Sequence, residues 1–308
     1  YKTLDELAKY LNDPHVSACV QSRKSGILKQ EFTILDNEAA PEIVEFVKMA
    51  IEKIDVQGIS SQMLNFPFFG FQPMEIYYTE FNGRWIINDI KAKPPYWFKF
   101  DENEALKFVG ASLSDKIAPK YKITTLRNNP TYTNPYGEAL LHKIHFCMQF
   151  KRMGLNYYAQ YIENYGMPYT HVTVTDINDI DAAAEVAESI KSNAVAVSTD
   201  GVTCNLIESS GGNAASYESF IKFHNDEISK AILGQTLTTE AGTSGSYALG
   251  NVQNQVRKDI IDGDKKTLEA AWNEIIYNLV NINFGNVERC PIVQFKEEIY
   301  VDKTRAER

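Results

Sequence analysis

The chain has 308 residues, of which 44% are hydrophobic and 23% charged, and this ordinary composition excludes a disordered, collagen-like or disulfide-scaffold protein. Its 31 basic and 40 acidic residues give a net charge of −9, which argues against a protein that coats DNA through lysine and arginine. No apolar run approaches the roughly 20 residues that a membrane-spanning helix needs. The four cysteines are far apart, so we expect unpaired thiols.

The first 127 residues mix helix and strand patterns. Alternating apolar residues predict a strand over 31–35, and Pro41 begins an amphipathic helix. Two extended runs flank Asn82-Gly83, which predicts a β-hairpin. Further strands are predicted over 97–100 and 121–124. This half of the chain is therefore expected to be α+β.

A long helix is predicted from Gly137 to about Tyr165. Apolar and aromatic residues occupy nearly every face of this helix, whereas a one-sided surface helix carries a single apolar stripe. We therefore expect neighbours all around it, from the same subunit or from another copy. Leu155, Tyr158 and Ile162 are its candidate oligomer-packing residues.

The stretch after this helix predicts a small βαββ module. A strand over 171–175 precedes an alanine-rich helix, and two short strands over 194–198 and 203–208 are joined by a turn at Asp200-Gly201. A glycine- and serine-rich joint follows the second strand.

The last third of the chain is predicted to be helical. One helix covers 217–233, a polar Gly/Thr/Ser stretch follows, and a final helix ends at Phe284. In that helix apolar residues recur at intervals of four and three, which is typical of a seam between helices. Trp272, Ile275 and Leu279 from this seam are further candidates for oligomer packing.

Several motifs resemble the Mu-like portal proteins of tailed phages and prophages, over nearly the whole chain. The most specific run is EISKAILGQTLTTEAG at 227–242, followed by LVNINFG at 279–285. The remaining patterns are shorter: FFGFQPMEIYY at 68–78, NGRW at 82–85, PPYWFKFD at 94–101, NPYGEALL at 134–141 and YIENYGMP at 161–168.

This resemblance implies an α+β, portal-like fold with an α/β wing, long stem helices, a small α/β clip, a tunnel loop and a long spine helix. The implied segments are the wing (1–127), first stem helix (128–168), clip (169–213), second stem helix (214–233), tunnel loop (234–252), and spine with the start of a C-terminal extension (253–308).

The resemblance also implies a function and partners. Portal subunits form a closed ring, usually a dodecamer, at one capsid vertex through which DNA is packaged and ejected. The implied partners are other copies of the chain, the terminase large subunit, head–tail neck or adaptor proteins, a capsid or scaffold protein, and weakly, non-specifically bound double-stranded DNA. Assembly is expected in the bacterial host cytoplasm.

Two sets of contact residues follow from this mapping. The tunnel loop lacks lysine and arginine, so it would offer hydroxyl groups to passing DNA without a lasting grip on phosphate, and acidic residues are expected to line the passage. Its candidate DNA-facing residues are Thr236, Thr238, Thr239, Glu240, Thr243, Ser244 and Ser246. The candidate docking residues of the clip are Glu185, Glu188 and Asp200.

The sequence contains no recognised catalytic motif. His142 and His145 have a chelating spacing, but no recognised metal motif accompanies them. Acidic residues at 259, 262, 264 and 269 are interpreted as favouring a helix start through the macrodipole rather than as a nuclease site. We therefore expect no enzyme, cofactor or metal. The alternatives are another head–tail connector or baseplate protein and, more distantly, a metal-dependent nuclease.

Overall fold

The computed structural model describes residues 4–109, 117–165, 169–174, 176, 180–181, 184–185, 202–207, 214–236 and 247–296. The helices are α1 (Leu4–Ala8), α2 (Pro14–Leu28), α3 (Pro41–Ile51), α4 (Val56–Met63), α5 (Phe66–Phe69), α6 (Leu140–Lys143), α7 (His145–Tyr165), α8 (Ala214–Leu233) and α9 (Tyr247–Phe284). The strands are β1 (Glu31–Leu35), β2 (Phe71–Phe81), β3 (Arg84–Ala92), β4 (Phe98–Phe100), β5 (Leu106–Phe108), β6 (Ile123–Arg127), β7 (Tyr169–Val174), β8 (Val202–Ile207) and β9 (Ile292–Lys296).

The chain divides into two compact units. The larger unit combines residues 1–146 with 226–308, and the smaller unit is formed by residues 147–225. The chain therefore leaves the larger unit within α7 and returns to it within α8. Residues 226–308 join the larger unit because α9 packs with the N-terminal residues, and the predicted wing boundary at residue 127 stays a prediction.

The predicted α+β character and the hairpin are confirmed. Asn82 and Gly83 have φ angles of 51° and 75°, the left-handed values that a tight two-residue hairpin turn requires. Strands β2 and β3 pair in an antiparallel manner on either side of this turn, and β6 pairs with the other edge of β2. The sheet order is β3-β2-β6.

The C-terminal half of α9 forms the centre of the larger unit. Trp272, Ile275 and Leu279 are 0% exposed, and they belong to one apolar cluster with residues of α3, α4 and the three-stranded sheet. The indole of Trp272 lies edge-on to the Phe32 ring, with 5.3 Å between ring centroids. Burying an entire helix face in this way contributes most of the stability of a helix in a folded protein.

Two distant parts of the chain are joined by backbone hydrogen bonds. Strand β1 pairs antiparallel with β9, from Glu31 opposite Lys296 to Leu35 opposite Ile292. The C-terminal strand thus completes a sheet that begins near the N-terminus, which is one reason why residues 226–308 belong to the same unit as residues 1–146.

Helix α2 begins with the Asp13-Pro14-His15 run. The Asp13 carboxylate accepts hydrogen bonds from the backbone N–H groups of His15 and Val16, at 3.0 and 3.1 Å. Pro14 occupies the first helical position, where its missing N–H costs nothing. This run therefore forms the N-terminal cap of α2.

The predicted helix from Gly137 to Tyr165 is interrupted. A short helix, α6, ends before Ile144, whose ψ of 1° is far from the helical value, and α7 starts at His145. At the other end of the chain, α9 begins at Tyr247 rather than at residue 253. The stretch between α8 and α9 is accordingly shorter than the tunnel loop predicted over 234–252.

Part of the predicted βαββ module is described. Strands β7 and β8 pair antiparallel, from Tyr169 opposite Ile207 to Val174 opposite Val202. Residues 180–181 and 184–185 are helical. The strand predicted over 194–198 and the turn at Asp200-Gly201 lie outside the described residues, so the module as a whole stays a prediction.

Lys24 of α2 is expected to make the free energy of unfolding depend on pH. Its ammonium donates to the carbonyl oxygen of Ser61 and to Oδ1 of Asn65, at 2.9 and 2.7 Å, and burial lowers the lysine pKa to about 8. Between that value and the ordinary lysine pKa, the unfolded chain binds more protons than the folded chain. The free energy of unfolding should therefore rise with pH across this window.

Urea unfolding of the wild type and of Lys24→Met at pH 7.5 and pH 10 measures this effect. The advantage of the wild type over the variant is expected to grow by on the order of 2 kcal/mol at the higher pH. Lys120→Met, at an exposed lysine, controls for the loss of one positive charge. An equal pH response in the wild type and Lys24→Met would show that Lys24 does not cause it.

Candidate functional site

The smaller unit is built on an antiparallel pair of helices. Contacts between α7 and α8 run in opposite directions along the chain, from Phe150 against His224 to Tyr161 against Tyr217. Gly154 allows the closest approach, because a Cβ atom built on this residue would lie 2.8 Å from the Phe220 ring. A larger residue at position 154 would push the two helices apart.

Three phenylalanines surround the buried imidazole of His224. The ring of Phe150 stacks on the imidazole with 5.8 Å between centroids, and those of Phe220 and Phe223 lie edge-on at 4.6 and 5.3 Å. Edge-on and stacked aromatic pairs each add to the energy of burial. This cluster holds the two helices together near the point where the chain enters the unit.

A second aromatic group lies toward the far end of the pair. The rings of Tyr158 and Tyr161 pack on Tyr217, with centroids 5.6 and 5.5 Å apart. The hydroxyl of Tyr158 donates to a carboxylate oxygen of Glu218 at 3.0 Å, and this bond raises the tyrosine pKa above its ordinary value. Tyr158, a predicted oligomer-packing residue, therefore makes its observed contacts within its own unit.

Exposed apolar side chains also lie on α7 along one edge of the face that contacts α8. Phe150, Met153 and Tyr157, which we call the α7 stripe, are 45%, 47% and 53% exposed. Their spacing of three and four residues places them along one line of the helix. Phe146, one turn earlier, continues this spacing and is 73% exposed. This exposed apolar row is a candidate contact surface.

A second exposed pair lies on the far side of the same helix. Leu155 and Ile162, predicted as packing residues, are 44% and 51% exposed. Each residue of a helix is rotated by about 100° around the axis from the one before it, so these two side chains point almost directly away from the α7 stripe. The face of α7 that contacts α8 lies between the two surfaces. Helix α7 therefore presents two separate apolar surfaces.

The same expectation is wrong for the final helix. Trp272, Ile275 and Leu279 were expected to pack against another copy, but all three are enclosed in the core of their own chain. An apolar repeat of four and three residues requires a neighbour, and it does not distinguish a neighbour within the chain from one outside it. The partners here are the sheet and helices α3 and α4.

The predicted contact residues of the loop and the clip are only partly described. Thr236 is partly buried, and Glu185 is helical and exposed. The remaining predicted residues lie outside the described part of the chain: Thr238, Thr239, Glu240, Thr243, Ser244, Ser246, Glu188 and Asp200. Their roles stay predictions.

The acidic residues near position 264 do not occupy a helix start. Asp264 lies in the middle of α9, where its carboxylate binds the guanidinium of Arg23 through two hydrogen bonds. Asp259 and Asp262 contact Gln255 and Lys265 of the same helix. Sequence reasoning missed Arg23, because no local signal connects residues 241 positions apart.

The described residues contain neither a cluster of metal ligands nor a membrane-spanning helix. In that part of the chain, no group of three or more His, Cys, Asp or Glu side chains could hold a metal ion. Among the same residues, no helix is both long and apolar enough to cross a lipid bilayer.

Solved structures share this fold. An HK97 family phage portal protein from Corynebacterium diphtheriae aligns with a TM-score of 0.53 at 10% identity, covering 94% of each chain. Chains from the virion and from the neck of a native gene transfer agent particle align with TM-scores of 0.69 and 0.66 at 8% identity. They cover 100% and 98% of this chain, and 86% of the matched chain in both cases. The fold is that of a phage portal protein.

Sequence comparison defines the family more closely. The family model described as the portal protein of Mu bacteriophage matches residues 4–308, so the chain belongs to this family. The portal protein of Escherichia phage Mu is 29% identical over 153 residues, and the Mu-like prophage FluMu protein gp29 of Haemophilus influenzae is 30% identical over 155. Each match covers 47% of this chain but only 30% of the relative's length.

Proposed function

We propose that the chain is the ring-forming part of a phage portal subunit, whose copies close into a ring at the capsid vertex through which DNA is packaged and ejected. The observation that carries this proposal is the family match over residues 4–308, joined to a portal fold. A matched neck structure was computed with C12 symmetry, which favours a ring of twelve copies.

The two apolar surfaces of α7 suit such an assembly. In a closed ring, each copy contacts its two neighbours through two different surfaces, because the contact is head-to-tail. The α7 stripe is one such surface, and the Leu155–Ile162 pair is the other. Both would bury apolar area that a lone copy leaves in water.

The proposed partners follow from the same function. A terminase large subunit would dock at the clip, where Glu185 is exposed, and neck or adaptor proteins and a capsid or scaffold protein would contact the assembled ring. DNA would pass the segment from Gly234 to Ser246, which contains no lysine or arginine to hold phosphate groups. The proposal includes no catalytic step and no cofactor, and it places assembly in the host cytoplasm.

Two surface variants test the ring. Met153→Asp/Tyr157→Asp changes the α7 stripe, and Leu155→Asp/Ile162→Asp changes the other surface. Each variant of the full-length protein should fail to form rings in electron micrographs, because burying unpaired carboxylates costs several kcal/mol, on the order of 3 kcal/mol each. Asn156→Asp, which adds the same charge at an exposed position of α7, should assemble normally.

Mixing the two variants separates the surfaces. Each variant keeps one intact surface, so an equimolar mixture should form mixed dimers, visible by analytical ultracentrifugation, and should not form rings. Rings from either variant alone would contradict the assignment of that surface. Absence of rings from the wild-type full-length protein would contradict the proposed function itself.

A further inference from the structure

Helix α2 buries a polar face within the larger unit. His15, Cys19, Ser22 and Arg23, which we call the α2 polar face, follow one another at intervals that place them on one side of the helix. Cys19 and Arg23 are 0% and 7% exposed. A polar helix face normally lies in water, so its burial here requires specific partners.

The end of α8 supplies one set of partners. An imidazole nitrogen of His15 and the hydroxyl of Ser229 form a hydrogen bond of 2.8 Å. The Arg23 guanidinium donates from Nη1 to the carbonyl oxygen of Ile232 at 2.7 Å. That carbonyl belongs to the last turn of α8, where carbonyl groups have no partner within the helix and favour a positive charge.

Helix α9 supplies the other partners. Nε and Nη2 of Arg23 donate to the two carboxylate oxygens of Asp264, at 2.6 and 2.9 Å. From the α9 side, Nη2 of Arg257 donates to the carbonyl and hydroxyl oxygens of Ser22, at 2.6 and 3.0 Å. One guanidinium thus joins three helices that are far apart in the sequence.

These bonds are directional, whereas apolar side chains tolerate sliding. A shift of α8 or α9 by one residue, roughly 1.5 Å along its axis, would break the paired Arg23–Asp264 bonds or the bond to Ile232. The broken partners would remain buried, which is strongly unfavourable. The geometry therefore allows one axial position of α8 relative to α9.

We propose that the α2 polar face sets the axial position at which α8 ends against α9, and thereby positions the chain that continues from Gly234. The proposal rests on the portal function, in which this continuation faces DNA. Arg23 is a positioning residue in this scheme and has no direct contact with DNA. Its partners lie entirely within residues 1–146 and 226–308.

Two variants of the full-length protein separate positioning from stability. Arg23→Lys keeps the positive charge but not the three-way hydrogen bonding. Arg23→Met/Asp264→Leu replaces the buried pair with apolar side chains, an exchange that commonly leaves a protein equally stable. Lys230→Met removes a second ion pair of α8, the exposed one with Glu227, and serves as the matched control.

Amide hydrogen exchange measures how firmly the α2 polar face holds the end of α8. In both Arg23 variants, the amides of residues 231–234 should exchange at least roughly tenfold faster, while those of residues 268–280 stay unchanged. The control should exchange as the wild type does. Wild-type exchange rates at residues 231–234 in both Arg23 variants would overturn the proposal.

Phage carrying the double variant give the functional measurement. Rings should form in normal number, and DNA-filled heads should fall at least roughly tenfold, because ring formation uses the surfaces of α7 and not Arg23. Normal rings with normal DNA filling would overturn the positioning role. If the wild type forms no rings, the portal function is overturned instead. The exchange rates at residues 231–234 would then still test the positioning role of the α2 polar face.

Discussion

Replacing Trp272 with alanine is expected to lower the free energy of unfolding of the larger unit by about 4 kcal/mol. The indole is 0% exposed, contacts the Phe32 ring, and donates its N–H to the hydroxyl of Ser60 at 3.0 Å. The substitution leaves a large cavity and deprives the buried Ser60 hydroxyl of this donor, and both effects destabilise the fold.

Urea unfolding of the isolated subunit measures this loss. Tyr277→Ala, on the same helix at a position that is 44% exposed, is the control and should change the stability by less than about 1 kcal/mol. If Trp272 instead packed against another copy, its substitution would weaken assembly and leave the unfolding of the single subunit almost unchanged. That result would restore the expectation drawn from the sequence.

Replacing Gly137 with alanine is expected to cost about 3 kcal/mol or more. Gly137 has a φ of +76°, and a Cβ atom there would lie 2.4 Å from the Asn128 carbonyl oxygen and 2.7 Å from that of Gly70. The left-handed conformation alone disfavours a side chain by roughly 1–2 kcal/mol. Relieving the two clashes requires backbone displacement, which adds a cost of similar size.

The displaced backbone is held by several hydrogen bonds. Asn128 donates its backbone N–H to Gly70 at 2.7 Å and accepts from the N–H of Glu138 at 2.8 Å. Gly263→Ala is the matched control, because this exposed glycine of α9 has no atom within 4 Å of the added methyl and should gain up to about 1 kcal/mol in stability. Equal thermal stability of Gly137→Ala and the wild type would contradict the close packing of these backbones.

Local patterns predicted most helices and strands correctly. The Asn82-Gly83 turn and the apolar repeat in α9 each depend on residues within one or two turns of the chain, so they can be read without a structure. The helix break at Ile144 was missed, since nothing in the surrounding residues forbids a continuous helix. The same holds for the early start of α9 at Tyr247.

The candidate site was harder to predict than the fold. Leu155 and Ile162 were recognised as apolar residues in need of a contact, and both are exposed in the subunit. The α7 stripe was not singled out, because the helix has apolar residues on most faces and only the position of α8 shows which of them remain uncovered. Arg23 and Asp264 became a pair only through folding.

By itself, the sequence determined the portal family, the mixed helix and strand content and the absence of a recognised catalytic motif, because these depend on residue types and short spacings. Only the tertiary structure showed which apolar surfaces are buried within the chain. Trp272 is buried by the sheet and helices of its own subunit, whereas the α7 stripe remains in water. The physical reason is that a periodic apolar face favours burial against some neighbour, but only the packing of distant segments shows whether that neighbour lies within the same chain.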